Sequence, residues 1–531
     1  MRFRIATLLT LIFALIFPTT LFAANPKAGA TCSKAGLTQT YAGKKFTCIK
    51  SGKKLVWDKG ALTNTSPIPK SSPTTSTVQE SSSNIVDWSK TFSTDNGFKY
   101  LFNNPCQKEE NIAPQWRELQ DAYFKYSNCI WPINVAKYLM GKERPKTSED
   151  FKNTLLVNDC KISEPENSRS LRGFYNYWPT DRQKWVRDHL VLGKNTNIQI
   201  IPIQTLDSAV PRYTPEQDYG RFTNFLIDWV EHSADNGANI KVTFPKNYIK
   251  FNGKIADYNI FHEAGENSAG HIKFNKDLIA QVDSYIDFTG VNLAIIVTPS
   301  GTDMSLYQQG TIGELITNEG KVPVSTTEFA YTFENFGSVK FKNLMLPYWW
   351  LHELLHSIAF DDHYGDSLMN INSDFGMGWW SLMTPGGGDL TAWEKWIMEL
   401  ISDQQVNCLT PNSTNITWLA PSSVKTTLKK INVIPISRHK AIVMESIRPA
   451  GLYYKIPKNS AGLLVYEINL EIQMHGLGMT LVLPNNRDPN KGPFFLGEAT
   501  LREGESVISN GQKITVLESG NFGDVVKVEK A

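Results

Sequence analysis

Among the nine histidines of this 531-residue chain, two stand four apart in His352-Glu353-Leu354-Leu355-His356, and the run continues Ser357-Ile358-Ala359-Phe360-Asp361-Asp362-His363. No other feature constrains the local fold so tightly. At about 3.6 residues per turn, positions four apart leave the same face of a helix, so His352 and His356 can bind one ion. Glu353 stands one step round and can reach a water at that ion without ligating it. Pro347 suits the first turn of the required helix, which is expected to run through Ala359. Leu351, Leu355 and Ile358 recur at i, i+4 and i+7 and are expected against a sheet, so that His352, Glu353 and His356 face a cleft. A catalytic zinc takes three protein ligands and keeps one position for water, so a third ligand must follow the helix. Asp362 and His363 are the near candidates, Glu394 and Glu399 the distant ones.

A chain of this length is expected to form about two to four domains. Its 54 basic and 52 acidic residues leave a net charge of +2, which gives no reason to invoke nucleic acid as a partner. Met1-Arg2-Phe3-Arg4 followed by the apolar run Ile5 to Phe17 reads as an export signal, with small residues near Ala23 for cleavage. Membrane association is expected only if that signal stays uncleaved. The six cysteines are Cys32, Cys48, Cys106, Cys129, Cys160 and Cys408, an even count that in an exported chain argues for disulfides. Cys32 and Cys48 lie together in a small module and are expected to pair. The other four allow three pairings, which the sequence does not rank.

Read in order, residues 1–23 are the signal and 24–60 a small basic module. In that module, short alternating runs are separated by Gly-Lys turns and closed by one disulfide. It is similar to short Cys-Gly-Lys-Trp modules near the start of exported actinobacterial proteins, and its lysines and Trp57 are candidates for holding a cell-wall polymer. Residues 61–86 form a Ser/Thr/Pro-rich linker. Residues 87–195, rich in Trp and Tyr with helical periodicity, read as an N-terminal extension or propeptide. Strands are then expected at Asn197–Ile203, Ile240–Phe244, Leu293–Val297 and Phe329–Phe333, with helices at Asp218–His232 and Phe274–Ile286. His262, Glu263 and His271 form a second histidine cluster; Gly265 and Gly270 suggest a loop there, at the rim of a cleft. Asp366, Asn370, Asn372 and Asp374 make an oxygen-rich stretch that admits calcium without a specific calcium-loop pattern. From residue 410 to 531, short alternating strands between Gly and Asn turns read as an all-β sandwich or barrel.

The run His352 to Tyr364, then Gly376-Met377-Gly378-Trp379-Trp380-Ser381-Leu382-Met383, then Thr391-Ala392-Trp393-Glu394-Lys395-Trp396, resembles the immune inhibitor A family of secreted zinc peptidases in the metzincin-like group. The resemblance extends over roughly residues 197 to 528 and departs at two points. The family's helix-ending Gly is Ala359 here, and the Asp of its Trp-Asp-Leu-Met segment is Trp380 or Ser381. What it implies is an α+β chain: a metzincin-like peptidase domain of twisted sheet plus active-site helix at 196–409, followed by the all-β domain at 410–531. It also implies Asp362 rather than His363 as third ligand, and Met383 at a methionine turn. The expected function is a secreted endopeptidase that uses Zn2+, possessing a Ca2+ site only if the oxygen-rich stretch provides one, and hydrolysing protein or peptide substrates with Glu353 as general base. The alternative is a non-catalytic, zinc-containing surface or wall-binding protein with the same fold.

Overall fold

Leu293-Ala294-Ile295-Ile296-Val297 is apolar at every position, the pattern of a strand buried on both faces, and all five residues are buried. It lies in a mixed sheet within a computed structural model that describes residues 27–41, 44–59, 61–62, 142, 144–163, 165, 192–193, 195–260, 269–303, 306, 312–325, 350–355, 360, 362–363, 376–378, 380–384, 389–448, 451–453, 460–472, 478–485 and 499–531. The chain divides into two units, Met1–Glu80 and Ser81–Ala531.

The first unit is one small antiparallel sheet of β1 (Thr38–Tyr41), β2 (Lys44–Ser51), β3 (Lys54–Trp57) and β4 (Ala61–Leu62), in which β2 pairs with the other three. Its core is Phe46, Cys48 and Trp57 with Cys32 and Leu55 against them, and the expected Cys32–Cys48 disulfide closes it. So few apolar side chains hold a fold only with such a crosslink.

Among its described residues, the second unit has β5 (Asp150–Phe151) first and then a six-stranded sheet. Its strands are β6 (Asn195–Gln204), β7 (Asn239–Thr243), β8 (Ile249–Lys250), β9 (Leu293–Val297), β10 (Ile312–Thr317) and β11 (Gly320–Ser325). The order is β10-β11-β9-β6-β7, with β8 also on β6; all pairings are parallel except the β10–β11 hairpin. Helix α1 (Pro215–Ser233) links β6 to β7, and α2 (Ala269–Val282) precedes β9. Thr214 caps α1, accepting from the Gln217 N–H while the Gln217 side chain accepts from the Thr214 N–H, and Pro215 supplies the favoured first helical residue. Alternation along the strands sorts the core into two layers. Ile198, Ile200, Leu293, Ile295 and Val297 face α1, whereas Ile201, Ile203, Ala294 and Ile296 face α2.

Gly270 lies inside α2, not in a loop, and His271 is buried there rather than placed on a rim. The helix passes so near η-turn residue Tyr258 that a Cβ at position 270 would stand 1.8 Å from the Tyr258 carbonyl oxygen. Glycine is there for close approach, which sequence spacing does not distinguish from a turn. His262 and Glu263 lie outside the described residues, as do Phe329–Phe333 and residues 366–374. The β10–β11 hairpin was not among the expected strands.

The C-terminal region is a two-sheet sandwich. One sheet runs β12 (Val406–Cys408), β14 (Ile431–Ser437), β15 (Lys440–Ile447), β16 (Gly462–Asn469) and β17 (Met479–Leu481). The other runs β18 (Ser506–Ser509), β19 (Gln512–Gly520), β20 (Gly523–Lys530), β13 (Asn415–Leu419) and β5. Ile434, Ile442, Met444, Leu463 and Val465 meet Ile514, Val516, Val526 and Val528 between the sheets. The other face of the first sheet, with Val433, Val443, Leu464 and Tyr466, joins the same core as β6, α1 and β9. The fully buried Arg448 guanidinium grips both oxygens of Asp524 at 2.9 and 3.0 Å, tying β15 to β20.

Residues from the expected N-terminal extension are built into this sandwich: β5 pairs with β13, and Cys160 is bonded to Cys408 on β12. Two disulfides fit an oxidising compartment. Among the described residues no helix is long and apolar enough to cross a membrane. The Cys160–Cys408 bridge spans 248 residues, a loop whose closure stabilises by about 3–5 kcal/mol. Replacing both cysteines by serine is therefore expected to lower the unfolding free energy, read from denaturant titration, by that amount. An unchanged unfolding free energy, together with free thiols mapped by mass to Cys160 and Cys408 in the parent protein, would show that the bridge does not form.

Candidate metal centre

Residues 350–355 form helix α3. Trp350, Leu351, Leu354 and Leu355 are buried in the core shared with β6 and β9, and the Trp350 ring stacks on Phe222 of α1 at 5.7 Å. The Phe360 N–H donates to the Leu355 carbonyl at 3.1 Å, the long-range type of bond that closes a helix C-terminus. Packing on this side turns the remaining arc, with His352 and the half-buried Glu353, toward residues 362 and 382.

His352 Nδ1 lies 2.8 Å from the carbonyl oxygen of Leu382. A carbonyl only accepts, so Nδ1 carries the hydrogen, and the lone pair of the neutral ring resides on Nε2. That atom is 3.0 Å from Asp362 Oδ1. Two lone pairs do not face each other at this distance unless a proton or a cation lies between them. With a proton there, burial alone would lower the pKa of the imidazole; the hydrogen bond and charge of Asp362, the charge of Glu353 and the Leu382 carbonyl outweigh it, and push the pKa up to about 9.

A divalent ion is the other solution. Ligand atoms about 2.0–2.1 Å from a tetrahedral zinc lie ~3.3 Å from one another, close to the separation here. Imidazole nitrogen plus carboxylate oxygen is a donor pair that zinc accepts readily, and the Leu382 carbonyl orients the histidine as a metal's outer partner does. His352 and Asp362 are therefore two donors of the types that zinc accepts. Among the described residues no group of three or more His, Cys, Asp or Glu side chains converges, and His356 and Tyr364 lie outside them.

Of the remaining candidates, His363 and Glu394 are engaged with each other. His363 follows Asp362 directly, but its Nε2 is 2.9 Å from Glu394 Oε1, and both side chains are buried. Glu394 also accepts from Ser381 Oγ (2.9 Å to each oxygen), the Thr391 N–H (2.7 Å) and Thr391 Oγ1 (2.7 Å). It is the third residue of helix α4 (Ala392–Ile397) and closes the capping box that Thr391 opens, with both of its oxygens engaged. Glu399 has a left-handed backbone, φ 57°, and its carbonyl sits where a Cβ on Gly193 would be, 1.9 Å away. Met383 is fully buried; its N–H donates to Ser381 Oγ at 2.9 Å and its carbonyl accepts from the His363 N–H at 2.9 Å. Compared with protein-family models and with curated proteins, the chain has no match.

Two residues that spacing alone did not single out thus position His352 and its surroundings, Leu382 through its carbonyl and Ser381 through its hydroxyl; Glu394, a candidate ligand in the sequence, is instead the anchor of Ser381 and His363. The Thr391-x-x-Glu394 pattern was a readable signal for a helix start. Its use as a support for the ligand segment was not. An aspartate at 381 would set a second carboxylate against buried Glu394, and the two would repel.

Below α4 lies a further set of buried charges. Lys395 is paired with Asp389 and donates to the Ser422 carbonyl, and Lys430 is paired with Asp235 at 2.5 Å. Glu445, on β15, accepts from the first N–H of α4 (Ala392, 3.0 Å) and from Tyr466 Oη (3.0 Å). Burial pushes its carboxyl up to about 7 from 4.5, against Ser422, the Ala392 N–H, Tyr466 and Lys395, which hold it down. A carboxyl raised on folding binds its proton more tightly in the native state. Its contribution is then complete below pH 4.5 and lost as the pH climbs through about 7. Unfolding free energy is expected to fall by about 3 kcal/mol over that window relative to a Glu445→Gln variant measured in parallel. Identical pH profiles for the two proteins, by denaturant titration from pH 4 to 8, would contradict it.

Proposed function

We propose that the chain is an exported zinc-dependent endopeptidase, with His352, His356 and Asp362 as metal ligands and Glu353 as general base. The observation that carries this reading is the pairing of His352 Nε2 with Asp362 Oδ1 at 3.0 Å, with the tautomer fixed by the Leu382 carbonyl. It favours Asp362 over His363, whose ring is engaged by Glu394. The resemblance to immune inhibitor A-like peptidases supports the same ligand set, and the mixed sheet behind α3 is compatible with the metzincin-like arrangement that resemblance implies. The two disulfides and the apolar N-terminal run support export.

Zinc, when bound, acidifies a water and polarises a substrate carbonyl. Glu353 is half-buried and close enough to His352 for its charge to act on the ring. From that position it takes the proton of the attacking water and returns it to the leaving amine. Asp362 neutralises one charge of the ion, and the Leu382 carbonyl keeps the lone pair of His352 aimed at it. Met383, through its two backbone hydrogen bonds, fixes the chain between Ser381 and His363 and so keeps the Leu382 carbonyl in place. The oxygen-rich stretch at 366–374 is the remaining candidate for calcium.

The purified protein is expected to hold about one zinc per chain and to cleave unfolded protein in a chelator-sensitive way. Glu353→Gln is expected to retain the zinc and lose at least about a thousandfold in kcat/KM. Asp362→Ala is expected to weaken zinc binding by roughly a hundredfold or more, whereas His363→Ala lowers stability instead. Proteolysis that survives Glu353→Gln would overturn the assigned mechanism. A zinc-loaded chain that cleaves no peptide library would be the non-catalytic surface protein instead.

A further inference from the structure

Charge is distributed very unevenly along this chain. Residues 27–62 carry eight lysines and one acid, Asp58, a net of +7, while the whole chain is only +2. Arg2 and Arg4 supply another +2, so residues 63–531 carry −7. All eight lysines are exposed. The Asp58 carboxylate accepts the Thr47 N–H at 3.0 Å within the unit.

The placement of the lysines follows from strand alternation. Lys44 and Lys50 share the face of β2 that carries Phe46 and Cys48; Lys45 lies on the opposite face, with Lys54, which pairs with Ser51 across the hairpin. Lys53 sits in the turn between β2 and β3. The positive charge therefore surrounds the sheet instead of covering one side. Trp57 and Phe46 are buried in its small core at 6% and 8% exposure, so Trp57 is not available to stack on a sugar ring as the sequence suggested. Among the described residues of the unit, Leu37 and Ile49 are the exposed large apolar ones, too few to insert into a lipid surface.

From this arrangement we propose that the N-terminal unit is an electrostatic anchor for a linear anionic polymer, bound by its repeated phosphate or carboxylate charges. A flexible chain can pass round a small sheet and meet lysines on both faces and at the turn. A flat membrane meets one face only, and a neutral glycan finds no aromatic platform among the described side chains of the sheet. The Cys32–Cys48 bridge ties the segment before β1 to β2, so the backbone that carries the lysines need not be ordered on binding. This assignment stands apart from the peptidase reading: an inactive chain would bind as well.

The test uses the full chain and labelled poly(glycerol phosphate) and polygalacturonate, with neutral dextran and anionic-lipid vesicles alongside, by fluorescence anisotropy and sedimentation at 50 and 200 mM salt. At least one polyanion is expected to bind and to lose roughly tenfold in affinity over that salt range, and the tighter of the two identifies the charge recognised. A variant carrying Lys44→Glu, Lys45→Glu, Lys50→Glu and Lys54→Glu is expected to lose at least tenfold, with its Cys32–Cys48 bond intact by mass. The pairs Lys44→Glu/Lys50→Glu and Lys45→Glu/Lys54→Glu are each expected to lose a comparable part. The proposal is overturned by undiminished binding of the fourfold variant, by equal binding of dextran, or by binding to vesicles alone. It also falls if only one face's pair matters, or if polymer binds only after the unit is cleaved away, which would make the acidic remainder of the chain its occupant.

Discussion

The candidate centre depends on one buried carboxylate. Glu394 is shielded from solvent and would be costly as an unpaired charge, yet it receives hydrogen bonds from Thr391, Ser381 and His363. Each donor belongs to a different part of the chain. Thr391 starts α4, Ser381 precedes the segment whose carbonyl holds His352, and His363 is the neighbour of Asp362. The order of the site thus runs from Glu394 outward: it fixes Ser381 and His363, these fix Leu382 and Asp362, and these in turn set both polar contacts of His352. A residue in that role cannot also serve as a metal ligand, because both of its oxygens are already engaged.

The β-rich region is part of the same construction. β15 is buried along nearly its whole length because its two faces serve two cores, one inside the sandwich and one shared with α1, α3 and β9. Ala392 at the start of α4 donates to Glu445 on that strand, so the helix that carries Glu394 is seated on the sandwich. The Cys160–Cys408 bond and the β5–β13 pairing bring the chain before β6 into the same body. A division between a catalytic part and an appended β domain would cut through shared packing.

How legible this was depended on the range of the interaction. Leu293–Val297 was readable to the residue because a strand buried on both faces has an unbroken apolar run. Helix α1 was readable to within three residues through its apolar period, with Thr214 and Pro215 as unused start signals. The pairing of Cys32 with Cys48 followed from their proximity in a module too small to fold without it. The partner of Cys160 did not, since 248 residues intervene and only the fold brings Cys408 near. Gly270 misled, because a glycine demanded by close approach to Tyr258 looks the same in sequence as one demanded by a turn. Lys430, Asp235 and Arg448 gave no signal, because a buried charge pair is defined by a partner far away in the chain. Of the site, His352 and Glu353 were legible from helix geometry, Asp362 only from the resemblance.

What the geometry adds to the motif is a direction for His352. A histidine on a helix has two nitrogens, and spacing does not say which one faces the ion. The Leu382 carbonyl decides it, since an acceptor at 2.8 Å from Nδ1 leaves Nε2 as the only donor of a lone pair. The same carbonyl ties His352 on α3 to the segment of Met383, thirty residues away. The buried methionine matters here through its backbone. Its N–H and carbonyl, bonded to Ser381 and His363, hold the Leu382 carbonyl between two fixed points, and a side chain that fills space without polar demands leaves those bonds undisturbed.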